Sequence, residues 1–446
     1  MQPLVMEQES SLRDASSPSG DGSARLSLRQ DGGVTKGMSM RSAIFNLTNT
    51  IIGSGALTMP YAFAQCGLVG ANLIAGIMML VTLYSAWLLL MASTNCRQGA
   101  SGRGPKSFQE LGKLSSGPKA AKFAMATFIL GGLGTLTGYM IFIGRLLAQV
   151  IEDVFKIPHV PHFWPIVVVC MFILPLAWRQ RIDALKYTSF LALLAIIYVA
   201  CMFSTYVFAV GEYHDPPTHK YKDVELLKWS PHSVNTITLM LGAYCVHNTA
   251  LPIYDEMENR RPAPALRAFL IAMTIAFCVY EALGVSAYFL LGGYIPGNCL
   301  LGLDAGFTAS YPWTRVPSTI AKVTMAFLLS CSAPLALWPC RSAICSLLRG
   351  DEEPSERLFR TVTVITIFIV AVLASFIPDV TVPLGLVNSL AGGSMVFVMP
   401  GLFYLGSLEE SARLSESHLG PRMMVFFGVV MCILGFALEV RSVAKK

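Results

Sequence analysis

Asn46-Leu-Thr-Asn-Thr-Ile-Ile-Gly-Ser-Gly-Ala-Leu-Thr-Met-Pro-Tyr-Ala-Phe63 lies in a stretch apolar enough to enter a bilayer. Its centre, Gly53-Ser54-Gly55, lacks the side chains and the propensity that keep a membrane helix continuous, which predicts a helix broken there. A break at membrane depth strips backbone N–H and C=O groups of their helical partners. Lipid cannot replace those partners, so surrounding protein or a bound ligand must. Small residues also serve simple close packing of membrane helices, so the reading needs a second signal elsewhere in the chain.

The surrounding sequence supplies the membrane. Of 446 residues, 54% are hydrophobic and 13% charged, against about a quarter charged in soluble globular chains. The apolar residues gather in runs of roughly 20, the length that crosses a hydrocarbon core of about 30 Å. The composition describes an all-α integral membrane protein in contact with the lipid bilayer. The net charge of +6 is spread over loops rather than gathered on one face, which speaks against a nucleic-acid partner. Residues 1–40, rich in Ser, Gly, Asp and Arg, read as a disordered cytosolic tail, and residues 41–440 as the transmembrane domain. No secretory signal precedes the first span. Most of the 11 cysteines lie in or beside apolar runs, which disfavours an extracellular disulfide framework. The sequon Asn46-Leu-Thr48 falls inside the first span, out of reach of glycosylation.

Eleven transmembrane helices are read at about 42–66, 68–94, 121–152, 163–178, 187–211, 233–258, 264–292, 313–347, 358–377, 381–406 and 422–440. The positive-inside rule tests that count. With the N-terminus cytosolic, the far side carries only Lys156, Lys220, Lys222, Lys228, Arg315, Arg441, Lys445 and Lys446, and Arg145 and Lys322 lie within spans. The rest of the 33 Lys and Arg residues fall on the cytosolic side.

The second signal lies in span 6, where Cys245-Val246-His247-Asn248 and then Pro252 interrupt the apolar run. Spans 1 and 6 are five apart. A repeated unit of five spans has inverted topology, and matching interruptions in its two copies point to a transporter's central site. Half-helix N-termini suit an anionic group and free carbonyls a cation. The amides of Gly53, Ser54 and Gly55 are therefore expected to meet a carboxylate, with Val246, His247 and Asn248 completing the substrate site. An amino acid zwitterion carries both charges.

Phe45-Asn-Leu-Thr-Asn-Thr-Ile-Ile-Gly-Ser-Gly55, Cys245-Val-His-Asn-Thr-Ala-Leu-Pro-Ile-Tyr-Asp-Glu-Met-Glu-Asn259 and Ala333-Pro-Leu-Ala-Leu-Trp-Pro-Cys-Arg-Ser342 resemble stretches of the sodium-coupled neutral amino acid transporters, within the amino acid/auxin permease superfamily. The resemblance implies an inverted five-plus-five repeat of the LeuT-like kind, with discontinuous helices 1 and 6. It also implies symport of neutral amino acids with Na⁺, sometimes H⁺, and no other cofactor. By position it places Asn49 and either Ser330 or Ser332 at a Na⁺ site. The short segment 212–232, without Cys, and Thr58-Met-Pro60-Tyr61-Ala-Phe63 are closer to the wider superfamily, which includes H⁺-coupled vacuolar or lysosomal carriers. Plasma membrane and organelle both stay open, as do the preferred amino acid and the oligomeric state.

Other polar residues in the spans carry two readings each. Arg145 and Lys322 either snorkel to the interface or face a cavity or partner. Glu281 is expected to pair with a basic side chain. His247 serves the site or is a satisfied structural group. Tyr139 reaches a carboxylate through its hydroxyl or packs as core. An amino acid sensor signalling through the tail is the alternative from another class. The chain has neither a nucleophile and base pairing nor a phosphate-binding loop to commend an enzyme or an ATP-driven pump.

Overall fold

The computed structural model describes residues 37–53, 55–99, 104–178, 186–212, 224–230, 233–350, 355–377, 379–409 and 418–444. Residues 1–36 of the expected tail, Ser54 and most of the 212–232 segment lie outside them. The described chain is helical, with one isolated bridge between Met38 and Met257. Among the described residues, eight helices are long and apolar enough to cross a bilayer, and Phe163–Trp178 is a shorter apolar helix.

In order, the helices are α1 (Met40–Ile51), α2 (Gly55–Gly99), α3 (Phe108–Ser116), α4 (Pro118–Phe155), α5 (Phe163–Trp178), α6 (Lys186–Glu212), α7 (Ser233–Tyr244) and α8 (His247–Glu256). They continue with α9 (Pro262–Leu291), α10 (Ala305–Ser310), α11 (Arg315–Arg349), α12 (Glu356–Phe376), α13 (Thr381–Val387), α14 (Met399–Gly406) and α15 (Leu419–Ala444). Between α13 and α14 the helix widens into π turns at Asn388–Gly392 and Ser394–Val398.

Helix α2 holds two helical runs. They meet at Gly67, whose φ of 74° is a conformation that L side chains avoid. At that corner Leu68 N–H donates to Glu225 O at 2.9 Å and Lys228 N–H to Cys66 O at 3.0 Å, so the 224–230 segment holds the bend. Helix α1 starts where Ser39 caps Ser42 N–H. Just before it, Met38 N–H donates to Glu256 O at 2.6 Å, and Met38 O accepts from Glu258 N–H at 3.1 Å. The far ends of α1 and α8 are thereby tied together.

Helices α4 and α11 pack along each other more extensively than any other pair. Lys322 of α11 is 1% exposed, ion-pairs with Asp153 of α4 at 3.2 Å and donates to Leu303 O at 2.8 Å. This corrects the snorkelling reading of Lys322: the ammonium turns inward because a carboxylate and a carbonyl meet it there. Losing one member of such a pair costs about 3–5 kcal/mol. Arg341 is buried in the same helix, with Nη1 donating to Ala177 O and Thr363 Oγ1, each at 2.9 Å. Glu281 on α9 is met by the Asn72 side chain of α2 rather than by the basic group expected. Large apolar side chains such as Phe208 and Phe376, 78% and 83% exposed, turn outward. An apolar exterior around buried polar pairs is the inverse of a soluble protein and suits lipid.

Candidate functional site

Both expected interruptions occur. Helix α1 ends at Ile51, where Ile52 leaves helical geometry at φ −76°, ψ 68°. Gly53 N–H turns back to Ile51 O at 2.8 Å, and α2 opens at Gly55. Helix α7 ends at Tyr244 and α8 opens at His247, with Val246 at φ −112°, ψ 2°. The two breaks are adjacent in space. A Cβ added to Gly55 would lie 2.6 Å from Ala243 Cβ and 2.9 Å from Ala243 Cα, so only glycine lets the start of α2 approach α7 this closely.

A cavity of about 470 Å³ lies against both breaks, with Asn49, Gly53 and Gly55 on one wall and Asn248 on another. The middle of α11 adds Ser332, and the π turn adds Asn388. π turns recur at functional sites because they re-aim side chains within a helix. Along α4 the lining runs from Phe128 to Tyr139, and along α11 it runs from Met325 to Pro339. The cavity thus lies against the N-terminal half of α4 and the middle of α11.

The structure brings together Asn49, Gly53, Gly55, Asn248 and Ser332 among the expected site residues; Ser54 lies outside the described ones. Asn49 Oδ1 is buried and has no hydrogen-bond partner, an acceptor whose desolvation is left uncompensated at a cost of about 1–3 kcal/mol. Ser330 stands elsewhere: it is 3% exposed, off the cavity, and donates to Ala326 O at 2.7 Å. Val246 and His247 are wholly buried behind the wall. His247 Nε2 pairs with Ser85 Oγ at 2.7 Å, and Ser85 Oγ lies 2.5 Å from Val396 O. The imidazole therefore locks α8 to α2 and the π turn. Tyr139, open to either reading from sequence, lines the cavity with its hydroxyl near Gly53.

Tyr280 was missed by sequence reasoning. Its buried hydroxyl on α9 lies 2.6 Å from Ile51 O and 3.0 Å from Ala243 O, one carbonyl from each broken helix. A hydroxyl donates one proton, so it satisfies these two acceptors in turn. A tyrosine in an apolar span reads as core, and no local pattern reveals the bond. Asn388 was missed too, although an amide in an apolar run is a signal for a cavity.

Among the described residues no three His, Cys, Asp or Glu side chains gather as a metal site. Asn49 and Ser332, two of the residues that line the cavity, carry neutral oxygens of the kind that hard cations accept.

A helical membrane bundle with two broken helices beside a largely apolar cavity that holds a few polar side chains fits the class of membrane carriers. The chain matches the family described as "Transmembrane amino acid transporter protein" over residues 36–440 and belongs to that family. It is 24% identical to amino acid transporter AVT6E of Arabidopsis thaliana over 431 residues, covering 92% of this chain and 85% of that one. It is 26% identical to sodium-coupled neutral amino acid transporter 7 of Xenopus laevis over 420 residues, covering 90% and 87%. Its fold is similar to that of a solved structure described as the inward facing conformation of Mhp1, with a TM-score of 0.57 at 12% identity, covering 92% of both chains.

Proposed function

We propose that the protein is a secondary carrier of neutral amino acids that couples uptake to Na⁺ by alternating access. In this reading eleven helices cross the membrane with the N-terminus cytosolic. Helices α1 with the first run of α2, and α7 with α8, are the matching broken spans of an inverted five-plus-five repeat. The carboxylate of the substrate sits at the first break, where the Gly55 amide opens α2, and Asn248 reaches it from the second break. Na⁺ is held by Asn49 Oδ1, the Ser332 hydroxyl and carbonyls freed by the first break. Ser332 is preferred to Ser330 because it faces the cavity, whereas Ser330 bonds its own helix. His247 and Val246 become positioning groups of the second break. The cavity wall formed by α4 then lies toward the cytosolic side.

The observation that carries this reading is the unpartnered Asn49 Oδ1 beside a helix break on a cavity wall. The names of both relatives support amino acids as cargo, and the Xenopus laevis relative supports Na⁺. The test is reconstitution in liposomes with a panel of labelled amino acids under imposed Na⁺ and H⁺ gradients. Concentrative uptake of a neutral amino acid driven by Na⁺ is expected. Uptake driven by H⁺ alone refutes the Na⁺ assignment, and no uptake under either gradient refutes the carrier reading.

A further inference from the structure

A second cavity of about 420 Å³ lies beyond the first, lined by Arg145 of α4, Asn298 of the α9–α10 connection, Asp379 just before α13, and Tyr61 and Gln65 of α2. Only a thin partition separates the two. On α2, Thr58 faces the first cavity and Tyr61 the second; on α4 the corresponding residues are Tyr139 and Ile141, and on α13 they are Leu384 and Val380. At a rise of about 1.5 Å per residue, these steps of two to four residues amount to roughly 3–6 Å, about a helical turn or less. A solute moving along the bundle axis meets both cavities in succession.

The walls of the second cavity carry matched chemistry. Arg145 Nε and Asn298 Nδ2 are both buried without a hydrogen-bond partner. This corrects the snorkelling reading of Arg145, whose guanidinium lines a cavity instead of running out to the interface. Asn298 is 2% exposed, and its Oδ1 is fixed by Leu300 N–H at 3.1 Å, which leaves Nδ2 as the idle end of the amide. Guanidinium and amide donors on one cavity suit a carboxylate. Asp379 supplies the opposite sign: its Oδ1 accepts from Thr381 N–H at 3.0 Å and Thr381 Oγ1 at 2.8 Å, which fixes the carboxylate at the cavity edge. A bare anion would be repelled by Asp379 and a bare cation by Arg145, whereas a zwitterion matches the sign of each wall.

We infer that this second cavity is a binding station for an α-amino acid, with Arg145 and Asn298 holding its carboxylate and Asp379 facing its ammonium. The ligand class rests on the carrier reading; the donor and acceptor arrangement stands without it. The station concentrates substrate one layer of side chains away from the central cavity.

The test is equilibrium binding to the full chain in nanodiscs, using the labelled amino acid that the liposome panel shows to be carried, or alanine where none is. The wild-type protein is expected to bind at two sites, and Arg145→Gln and Asn298→Asp at one each. Asn298→Asp keeps the oxygen that holds Leu300 N–H and replaces the idle donor with an anionic oxygen that repels a carboxylate. Binding retained at the central cavity shows that each variant is folded. A single site in the wild-type protein, or two sites surviving in both variants, overturns the station. Labelled chloride held in an Arg145-dependent way without competition by the amino acid overturns it as well, making the cavity an inorganic-anion site. Arg145-dependent binding of alanine by a protein that carries nothing would uphold the station while the carrier reading falls.

Discussion

The two helix breaks differ in what completes them. At the first, between Ile51 and Gly55, a side-chain acceptor, Asn49 Oδ1, is left without a protein partner, and Gly53 faces open cavity. At the second, between Tyr244 and His247, protein meets the backbone and the imidazole: Ser85 takes the imidazole, Cys245 N–H bonds Gly242 O at 3.2 Å, and Tyr280 reaches the Ala243 carbonyl, while the buried Tyr244 hydroxyl is left unpartnered. Protein also answers the Ile51 carbonyl at the first break, through Tyr280 and Gly53 N–H, so what is left over there is the Asn49 side chain. The second is a braced hinge that also holds the first in place, since Tyr280 touches both. In the proposed carrier, two interruptions that look alike in sequence divide binding from positioning.

Three substitutions break or sharpen that contrast. Gly55→Val is expected to have the largest effect, abolishing uptake, because its side chain must enter the space held by Ala243 at the seam of the two breaks. Uptake measured in liposomes with an amount of protein equal to wild type checks this. His247→Ala should destabilise the protein by about 2–4 kcal/mol, through the void it leaves and the bond it takes from Ser85. Thermal unfolding should shift downward while the KM for the amino acid stays within about twofold; a large rise in KM would move His247 into the binding set. Tyr280→Phe keeps the ring and removes the hydroxyl, with an expected cost of about 1–3 kcal/mol from carbonyls left unpaired. Its signature is a smaller thermal shift together with a few-fold change in KM, because the first break loses its brace.

The helices and both interruptions were legible in the sequence, because span length and small polar clusters in apolar runs are local signals. Side-chain direction was not. Ser330 and Ser332 stand two residues apart on α11, a rotation of about 200° at 3.6 residues per turn, and only packing shows which one meets the cavity. His247 reads as a site residue because it stands at a break, yet the first turn of α8 aims it at Ser85, distant in the chain. Lys322 and Arg145 look alike as basic groups near span ends; one finds Asp153 and the other a cavity. Such partners are set by tertiary contacts that no periodicity encodes. Arg360 and Glu356, one helical turn apart on α12, pair as local spacing leads one to expect.

The most direct measurement is the half-saturating Na⁺ concentration for uptake in Asn49→Ala, with Ser332→Ala and Ser330→Ala alongside. Asn49→Ala is expected to raise it at least tenfold with the protein still in the membrane, Ser332→Ala to raise it less, and Ser330→Ala to leave it within about twofold. An unchanged Na⁺ requirement in Asn49→Ala would contradict the assignment of the first break as the place where an ion completes the fold.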